Sequence, residues 1–513
     1  MLSKPIIISG FSDGIADSPY EGTRNSQAMI VGFDYRTYPG VIMPERPLAK
    51  VSGDSAGSPV VTGYIKWFVA IQPGVTNAEI YALCDDQGVA DVTRIIRSAD
   101  SGATWSLFQV LGDSESPCNA NGGIFWKGYF LFCSDRYLGY YKPSGSPEWV
   151  LNWKDLSPLG LGEGTDVDWH PMLQGQRDGS LYIGAKSFVA LLSEVADKTF
   201  DPTDSATYSW NAQAIDIPSD FRIKSLAEIG QYLMLGCWKK VGTVHHPVAV
   251  LYPWNYVLRP LAHEAPIFKN KILGISAQLN VNNVLYAWIG IQGEVFHYNV
   301  SEFTKLLKVP TVAGIEIRPG AVTEFKDIPC FGVDNIVASS IVGGIYEYGT
   351  TNPKRYPLSL NLAYPLACGQ SDTYEIWAIG KCGINDNILL VGWYNSTDGE
   401  YGIDKLNLSG RYDGAYFESM LMHLGTVQKK GQIEKCEIYL DGALSSGAIN
   451  VKYRRKASGD WTTIKRASAT YTFSDTNKSE FYLPFNIDDI VNIQFKVESS
   501  GGVGHKIKTV LLQ

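Results

Sequence analysis

The sequence predicts an all-β protein: a β-propeller of about seven blades followed by a C-terminal antiparallel β-sandwich, with an extended N-terminal arm ahead of both. Three observations predict it. Apolar strand-forming cores recur roughly every 50 residues, as repeat architectures require. The composition suits short strands joined by tight turns. The hydrophobic pattern changes from near-continuous to alternating close to residue 420.

The recurring cores begin near Tyr64 (YIKWFVAIQP), Trp126 (WKGYFLFCSD), Leu181 (LYIGA), Gln231 (QYLMLGCW), Val284 (VLYAWIG), Asn335 (NIVASSIVGG) and Ile388 (ILLVGWYN), with successive spacings of 62, 55, 50, 53, 51 and 53 residues. Several lead through a turn into a second strand ending in aromatics, as in YLGYY (137–141), EVFHY (294–298) and IYEY (345–348). A unit of this length holds four short strands, the content of a propeller blade. A blade buries both faces against its neighbours, which accounts for the nearly unbroken apolar runs. Closing the ring leaves only short sheet edges. The clearest hairpin is residues 385–408, where an apolar strand meets the turn tract Asn395-Ser396-Thr397-Asp398-Gly399 and an alternating strand follows. Asn, Asp and Gly supply the backbone angles that such a reversal needs.

The repeat assigns residues 56–420 to the propeller. Residues 1–55 differ, with a Gly/Asp/Pro-rich opening, Pro39-Gly40 and a second proline cluster at 44–47; such a segment reads as an extended arm lying across a larger body or a neighbouring subunit. Residues 421–513 form the sandwich. There Val491 to Val497 and Ile449 to Arg454 alternate apolar and polar, and Cys436, Ile438 and Leu440 share one face, the pattern of strands with one wet side. Only SEFTKLLK, 301–308, reads as a short helical turn.

Composition narrows the function. A formal charge of −8 argues against a surface that grips nucleic acid through phosphates, though it is compatible with an acidic wall along which DNA slides. The N-terminal apolar run is too short for a signal-peptide core, and no stretch approaches the roughly 18 apolar residues of a membrane span. The eight cysteines include no C-x-x-C pair, and several sit within apolar strands, which favours reduced thiols in a cytosolically folded protein.

Few residues invite chemistry. Glu163, Asp166 and Asp168 are the densest loop acids, and a glycosidase needs two carboxylates about 5 to 10 Å apart; the simpler reading is solvated turn acids. His245 and His246 are adjacent on a strand, so they point to opposite faces and do not share an ion. His170-Pro171 reads as a capped strand start. No phosphate-binding G-x-x-x-x-G-K-S/T loop and no G-x-S-x-G elbow occurs. Arg454-Arg455-Lys456 beside Trp461, and Trp254 in LYPWNY, offer glycan contacts, against the plainer readings of an outward charged hairpin and blade-edge packing. No catalytic residue, cofactor ligand or metal ligand is assigned, and no cofactor is expected.

The sharpest motif is structural. Ser98, Asp100, Gly102, Thr104 and Trp105 in SADSGATW match S-x-D-x-G-x-T-W, and this tract resembles the Asp-box of sialidases and other BNR-repeat propellers. There the Asp accepts hydrogen bonds from turn amides, Gly allows the reversal and Trp packs beneath. The Arg cluster that a sialidase needs has no counterpart. Phe221-Arg222-Ile223-Lys224 is only superficially similar to the family's Arg-Ile-Pro signature and lies mid-chain.

The order of modules resembles virion proteins of tailed bacteriophages, and most of all the nozzle proteins of short-tailed phages, also called tail tubular protein B or tail hub proteins. The opening carries Gly10 to Gly14, Pro19, Asn25, Pro39-Gly40 and Glu45-Arg46-Pro47; the propeller carries DVDWHPMLQGQRDGSLYIGA and the LYPWN tract; the sandwich carries VKYRRKASGDWTTI. The resemblance implies a non-enzymatic structural component of the tail, assembled in the host cytoplasm. It would form a homo-oligomeric ring around the DNA exit channel and contact adaptor, portal-proximal and tail-fibre proteins, with at most non-specific passage of DNA. The competing expectation is a glycan-binding or glycan-cleaving propeller, such as a tail spike or sialidase-like glycosidase.

Overall fold

The computed structural model describes residues 6–9, 11, 15–16, 27–37, 40–51, 54–55, 58–71, 78–89, 92–112, 118–134, 136–143, 148–156, 169–241, 244–257, 266–291, 294–298, 303–309, 316–339, 341–349, 359–426, 430–466, 469–501 and 504–513. The chain is all-β, and it divides into two compact units that are each discontinuous in sequence. One comprises 50–342 and 371–405; the other comprises 1–49, 343–370 and 406–513. This division differs from the three consecutive segments that the sequence predicts, because Met29–Val31 pairs with both Ser359–Tyr364 and Tyr416–Glu418. Among the described residues no helix is long and apolar enough to cross a membrane.

The larger unit is built from four-stranded antiparallel sheets in chain order. The first holds Gly63–Ile71, Glu79–Asp86, Thr93–Ser98 and Ser106–Leu111. The second holds Ala120–Trp126, Tyr129–Ser134, Tyr137–Lys142 and Glu148–Asp155; the third holds Met172–Gln174, Leu181–Ala185, Phe188–Glu194 and Tyr208–Asp216. The fourth holds Phe221–Ile229, Tyr232–Val241, Val244–Trp254 and Ile267–Lys269; the fifth holds Ile275–Val281, Val284–Ile289, Glu294–Tyr298 and Phe303–Lys308. A hairpin, Val322–Phe325 with Ile328–Val333, follows. The last sheet contains Tyr374–Cys382, Ile388–Asn395 and Glu400–Leu406. The chain just ahead of the first sheet returns to it, with Val51 N–H donating to the Ile403 carbonyl at 2.9 Å and Lys50 paired to Glu400.

The first strands pack in sequence: Gly63–Ile71 against Ala120–Trp126, then Met172–Gln174, Phe221–Ile229, Ile275–Val281, Val322–Phe325 and Tyr374–Cys382, which packs back on Gly63–Ile71. This circuit is consistent with a β-propeller. Each sheet is covered on both faces, so its second strand has no wet side: Tyr129–Ser134, Leu181–Ala185 and Ile328–Val333 are buried throughout. The two faces of one strand serve different cores. Leu181 and Ile183 join Leu131, Cys133 and Leu138 of the second sheet, whereas Tyr182 joins Ile223, Leu235 and Val250 of the fourth.

Two sequence expectations are corrected here. The helical turn expected over 301–308 gives way, within the described residues, to Phe303–Lys308 as the outer strand of the fifth sheet, in register with Glu294–Tyr298. Pairing to an open sheet edge overrides the local helical pattern. The core expected near Asn335 is displaced too, since the buried strand is Ile328–Val333 and Val337–Ser339 is a 3-10 turn. The long first spacing also has its cause. Tyr64 lies on a first strand, whereas the following cores lie at second strands, which start at Glu79, Tyr129, Leu181, Tyr232 and Val284, separated by 50, 52, 51 and 52 residues.

The smaller unit is built on two larger sheets, beside the two-stranded pairs Phe33–Asp34 with Met43–Pro44 and Lys465–Arg466 with Ala469–Thr470. In one, the order is Ile6–Ser9, Ile507–Leu512, Gly431–Leu440 and Glu480–Ile490, so the first described strand pairs with the last, Ile6 opposite Leu512 and Ile8 opposite Val510. Glu480–Ile490 alternates buried and exposed along nearly its whole length, as a sheet with one wet face must. In the other sheet Met29–Val31 is inserted between Ser359–Tyr364, to which it is parallel, and Tyr416–Glu418, to which it is antiparallel; Asn492–Ser500, Ala448–Arg454 and Thr462–Thr463 continue it. The N-terminal segment is tied down by side chains as well. Arg36 pairs with Glu347 at 2.5 Å and donates to the Ser359 carbonyl, and Asn361 Nδ2 donates to the Phe33 carbonyl at 2.7 Å.

Candidate functional site

The Ser98–Trp105 turn is shaped by its own side chains and anchored through Ser101, whose N–H donates to the Ala78 carbonyl at 3.1 Å and whose Oγ accepts from Ala78 N at 2.9 Å. Asp100 Oδ1 accepts from Ser98 Oγ at 2.8 Å, Ala103 N at 2.9 Å and Thr104 N at 2.8 Å, while Oδ2 accepts from Thr104 Oγ1 at 2.6 Å. Ser98 Oγ accepts from Gly102 N, and Gly102 sits at φ +79°, where a Cβ would be strained. Partial burial works to raise the Asp100 pKa, but the hydrogen bonds from Thr104, Ser98 and Ala103 outweigh it and hold the carboxyl below its usual range. Trp105 is buried and packs 6.0 Å from the Phe68 ring. The Ser98, Asp100 and Thr104 side chains are all engaged in shaping the turn, and Leu390 of the last sheet lies against Gly102.

The other singled-out residues are dispersed. Glu163, Asp166 and Asp168 lie outside the described residues. His245 is exposed and stacks on Trp238 at 4.5 Å, and His246 is half-buried. No metal-binding group of His, Cys, Asp and Glu occurs among the described residues. His170 is buried, with its backbone N–H on the Asn121 carbonyl and Nδ1 3.0 Å from the Gly184 carbonyl. Trp254 packs on Tyr256 and Tyr182. Arg222 donates to the Ser219 carbonyl. Arg454 is no free cation: it pairs with Glu418 at 3.1 Å, bonds Gln494 and lies 4.2 Å from the Trp461 ring, leaving only Arg455 and Lys456 of that basic run exposed. The eight cysteines are free thiols, and burial pushes Cys84 and Cys382 up to about 12, so neither is a nucleophile.

Among the described residues, a convergence of polar and aromatic groups appears that the sequence does not reveal. It gathers where the first strands of the larger unit begin. Arg318 donates through Nη1 to Asp334 at 2.8 and 3.0 Å and to the Ile376 carbonyl at 2.9 Å, and through Nη2 to Glu375 Oε2 at 2.8 Å. Burial opposes its charge, but Asp334, Glu375 and Glu316 outweigh that and raise its pKa. The guanidinium lies 4.3 Å from the Trp377 ring, whose Nε1 donates to the same Glu375 oxygen at 3.0 Å. Trp377 stacks on Tyr64 at 4.1 Å and stands 6.3 Å from Trp169, which is 6.1 Å from Trp67. Lys66 bridges Asp85 and Asn121, each at 3.0 Å, and Lys224 pairs with Glu316.

A glycine makes this convergence possible. The Gly320 carbonyl accepts from Ile379 N at 2.7 Å, and the glycine passes so close to the first and last sheets that a Cβ would collide with the Lys66 carbonyl. Chemically, each acid in the cluster already has a cation: Asp334 and Glu375 share Arg318, Glu316 has Lys224 and Asp85 has Lys66. The arrangement fixes strands and presents partly exposed rings of Tyr64, Trp67 and Trp377, able to stack on a flat apolar face.

No protein-family model matches this chain, and no curated protein matches it. Similar solved structures include an exo-β-1,3-galactanase from Phanerochaete chrysosporium, 8% identical, covering 91% of this chain and 99% of that one with a TM-score of 0.30. PorZ of the type-IX secretion system of Porphyromonas gingivalis is 11% identical, with 86% and 58% covered and a TM-score of 0.42. A 6-phosphogluconolactonase-like protein from Bacteroides uniformis is 11% identical, with 65% and 94% covered and a TM-score of 0.40. The expectation that the chain is not an enzyme is corrected at this point, because galactanase and another glycoside hydrolase stand among its structural neighbours. At these scores the likeness carries no argument for a particular activity.

Proposed function

We propose that the chain is a structural component of a bacteriophage tail, a nozzle or tail-hub protein that assembles as a ring in the virion. In this reading the larger unit is a propeller of seven blades, with the hairpin Val322–Phe325 and Ile328–Val333 at the sixth position, and the smaller unit is a sandwich that includes both chain ends. The observation that carries the reading is the way Ile6–Ser9 and Met29–Val31 are built into the sheets. Ile6–Ser9 pairs with Ile507–Leu512, and Met29–Val31 is inserted inside a sheet rather than at its edge. A wall element that must resist internal pressure benefits from strands locked inside its sheets. The interior charges are neutralised pairwise, and the net charge of −8 limits sticking of DNA that passes by. Light scattering across a concentration range tests this: a single defined oligomer, or one formed on addition of adaptor protein, is expected, and a monomer under both conditions overturns it.

A second reading, a glycan-binding or glycan-cleaving propeller, is favoured by the rings of Tyr64, Trp67, Trp169 and Trp377 beside Glu375. Retention of the protein on immobilised host-surface polysaccharide, lost in Trp377→Ala, is its expected signature. No retention on any polysaccharide tried, or retention that Trp377→Ala leaves intact, counts against it.

A further inference from the structure

Lys66 and Asn121 are the odd residues of two β-bulges. In the first sheet Ile65 lies opposite Cys84 and Trp67 opposite Leu83, which leaves Lys66 unmatched. In the second sheet Ala120 lies opposite Ser134 and Gly122 opposite Cys133, which leaves Asn121 unmatched. A bulge re-aims the side chain it carries. Here the two bulges aim at each other, so that Lys66 Nζ lies 3.0 Å from Asn121 Oδ1 across a sequence separation of 55 residues.

The surroundings hold this contact in place. The Asn121 carbonyl accepts from His170 N at 3.0 Å, and the next residue has to be Gly122, because a Cβ there would collide with the His170 carbonyl. Asp85, on the strand paired with Gly63–Ile71, places Oδ2 3.0 Å from the same Lys66 Nζ. Asn121 is buried, and the side chains of Lys66 and Asp85 are only 14% and 21% exposed. An amine, a carboxamide and a carboxyl group thus meet within hydrogen-bond reach at one nitrogen, the parts needed for an amide exchange with its own proton carrier.

We propose that Lys66 and Asn121 become joined by an isopeptide bond, with Asp85 as the proton carrier. In a site that holds little water, Asp85 takes a proton from the Lys66 ammonium and leaves a neutral amine, the nucleophilic form of lysine. Nζ adds to Asn121 Cγ, and the Asp85 carboxyl group returns its proton to the departing side-chain nitrogen. One C–N bond forms, one C–N bond breaks, and the nitrogen leaves as ammonium, so no oxidant or second substrate is consumed. Holding the groups in contact replaces the encounter that makes the same exchange slow between free side chains. The bond ties the first strands of two neighbouring sheets together covalently. The inference is independent of both readings of the function.

Mass spectrometry of the full chain, intact and after tryptic digestion, tests it. An intact mass below the sequence mass by one ammonia is expected, together with a branched peptide joining the segments around Lys66 and Asn121. Lys66→Arg and Asn121→Ala are each expected to abolish the branched peptide, and Asp85→Ala to slow its accumulation about a hundredfold or more. The native chain alone decides whether the bond exists, whatever the stability of the variants. A native chain that keeps its full mass after prolonged warming overturns the inference. So does loss of ammonia without a branched peptide, the mark of a succinimide closed onto Gly122, and so does conversion of Asn121 to aspartate. Undiminished cross-linking in Asp85→Ala overturns the role given to Asp85.

Discussion

Arg318 grips Asp334 through both carboxylate oxygens, at 2.8 and 3.0 Å, with both side chains largely buried. Removing one partner of such a pair strands the other charge in a poorly solvated place. Asp334→Ala is therefore expected to destabilise the larger unit by about 3–5 kcal/mol, read by urea denaturation. The reciprocal change Arg318→Met should cost a similar amount, and the double variant less than the sum. Additive losses would show that the two side chains do not act as a pair.

Acid titration separates the Asp100 turn from the rest. The folded-state pKa of Asp100 is lowered from its ordinary 3.8, so its stabilising contribution is present above that value and is lost as pH falls through the folded pKa. The stability gap between the native chain and Asp100→Asn is expected to be constant from neutral pH to near pH 5 and to shrink below about pH 4. A gap that widens on acidification contradicts the hydrogen-bond pattern seen.

Gly320→Ala tests the close approach beneath the charged cluster. Its methyl group would collide with the Lys66 carbonyl and press on the last sheet. Overpacking of this kind costs about 1–3 kcal/mol, and a lowered thermal midpoint is expected. Gly128→Ala is a contrast for space alone, since a Cβ at Gly128 would meet no atom within 4 Å and carries only the penalty of the φ of +88°.

Deleting residues 1–9 removes the strand that covers Ile507–Leu512. The exposed edge offers unpaired backbone groups to other chains. Concentration-dependent aggregation and a lower midpoint for the smaller unit are expected, checked by light scattering during heating. Unchanged behaviour would mean that the pairing contributes little.

What is legible in the sequence follows the reach of each interaction. The Asp100 turn is readable because its partners lie within a few residues, so spacing alone identifies them. The strand-rich, repeating character is readable because burial of both sheet faces leaves unbroken apolar runs such as Tyr129–Ser134. The Arg318 cluster is not, since its carboxylate partners stand 16 and 57 residues away and meet only when the first strands converge. Phe303–Lys308 escapes a local reading for a related reason: its strand state is imposed by the edge of Glu294–Tyr298, which a helical pattern over eight residues cannot show. Likewise, the repeat places 343–370 in the propeller, whereas these residues belong with the chain ends through pairings such as Val31 with Leu362.

Negative-stain imaging of the purified full chain, alone and with adaptor protein, tests the proposed tail role most directly. Closed rings of one fixed order, enclosing a central channel, are the predicted result. Isolated particles of monomer size in both preparations would contradict it.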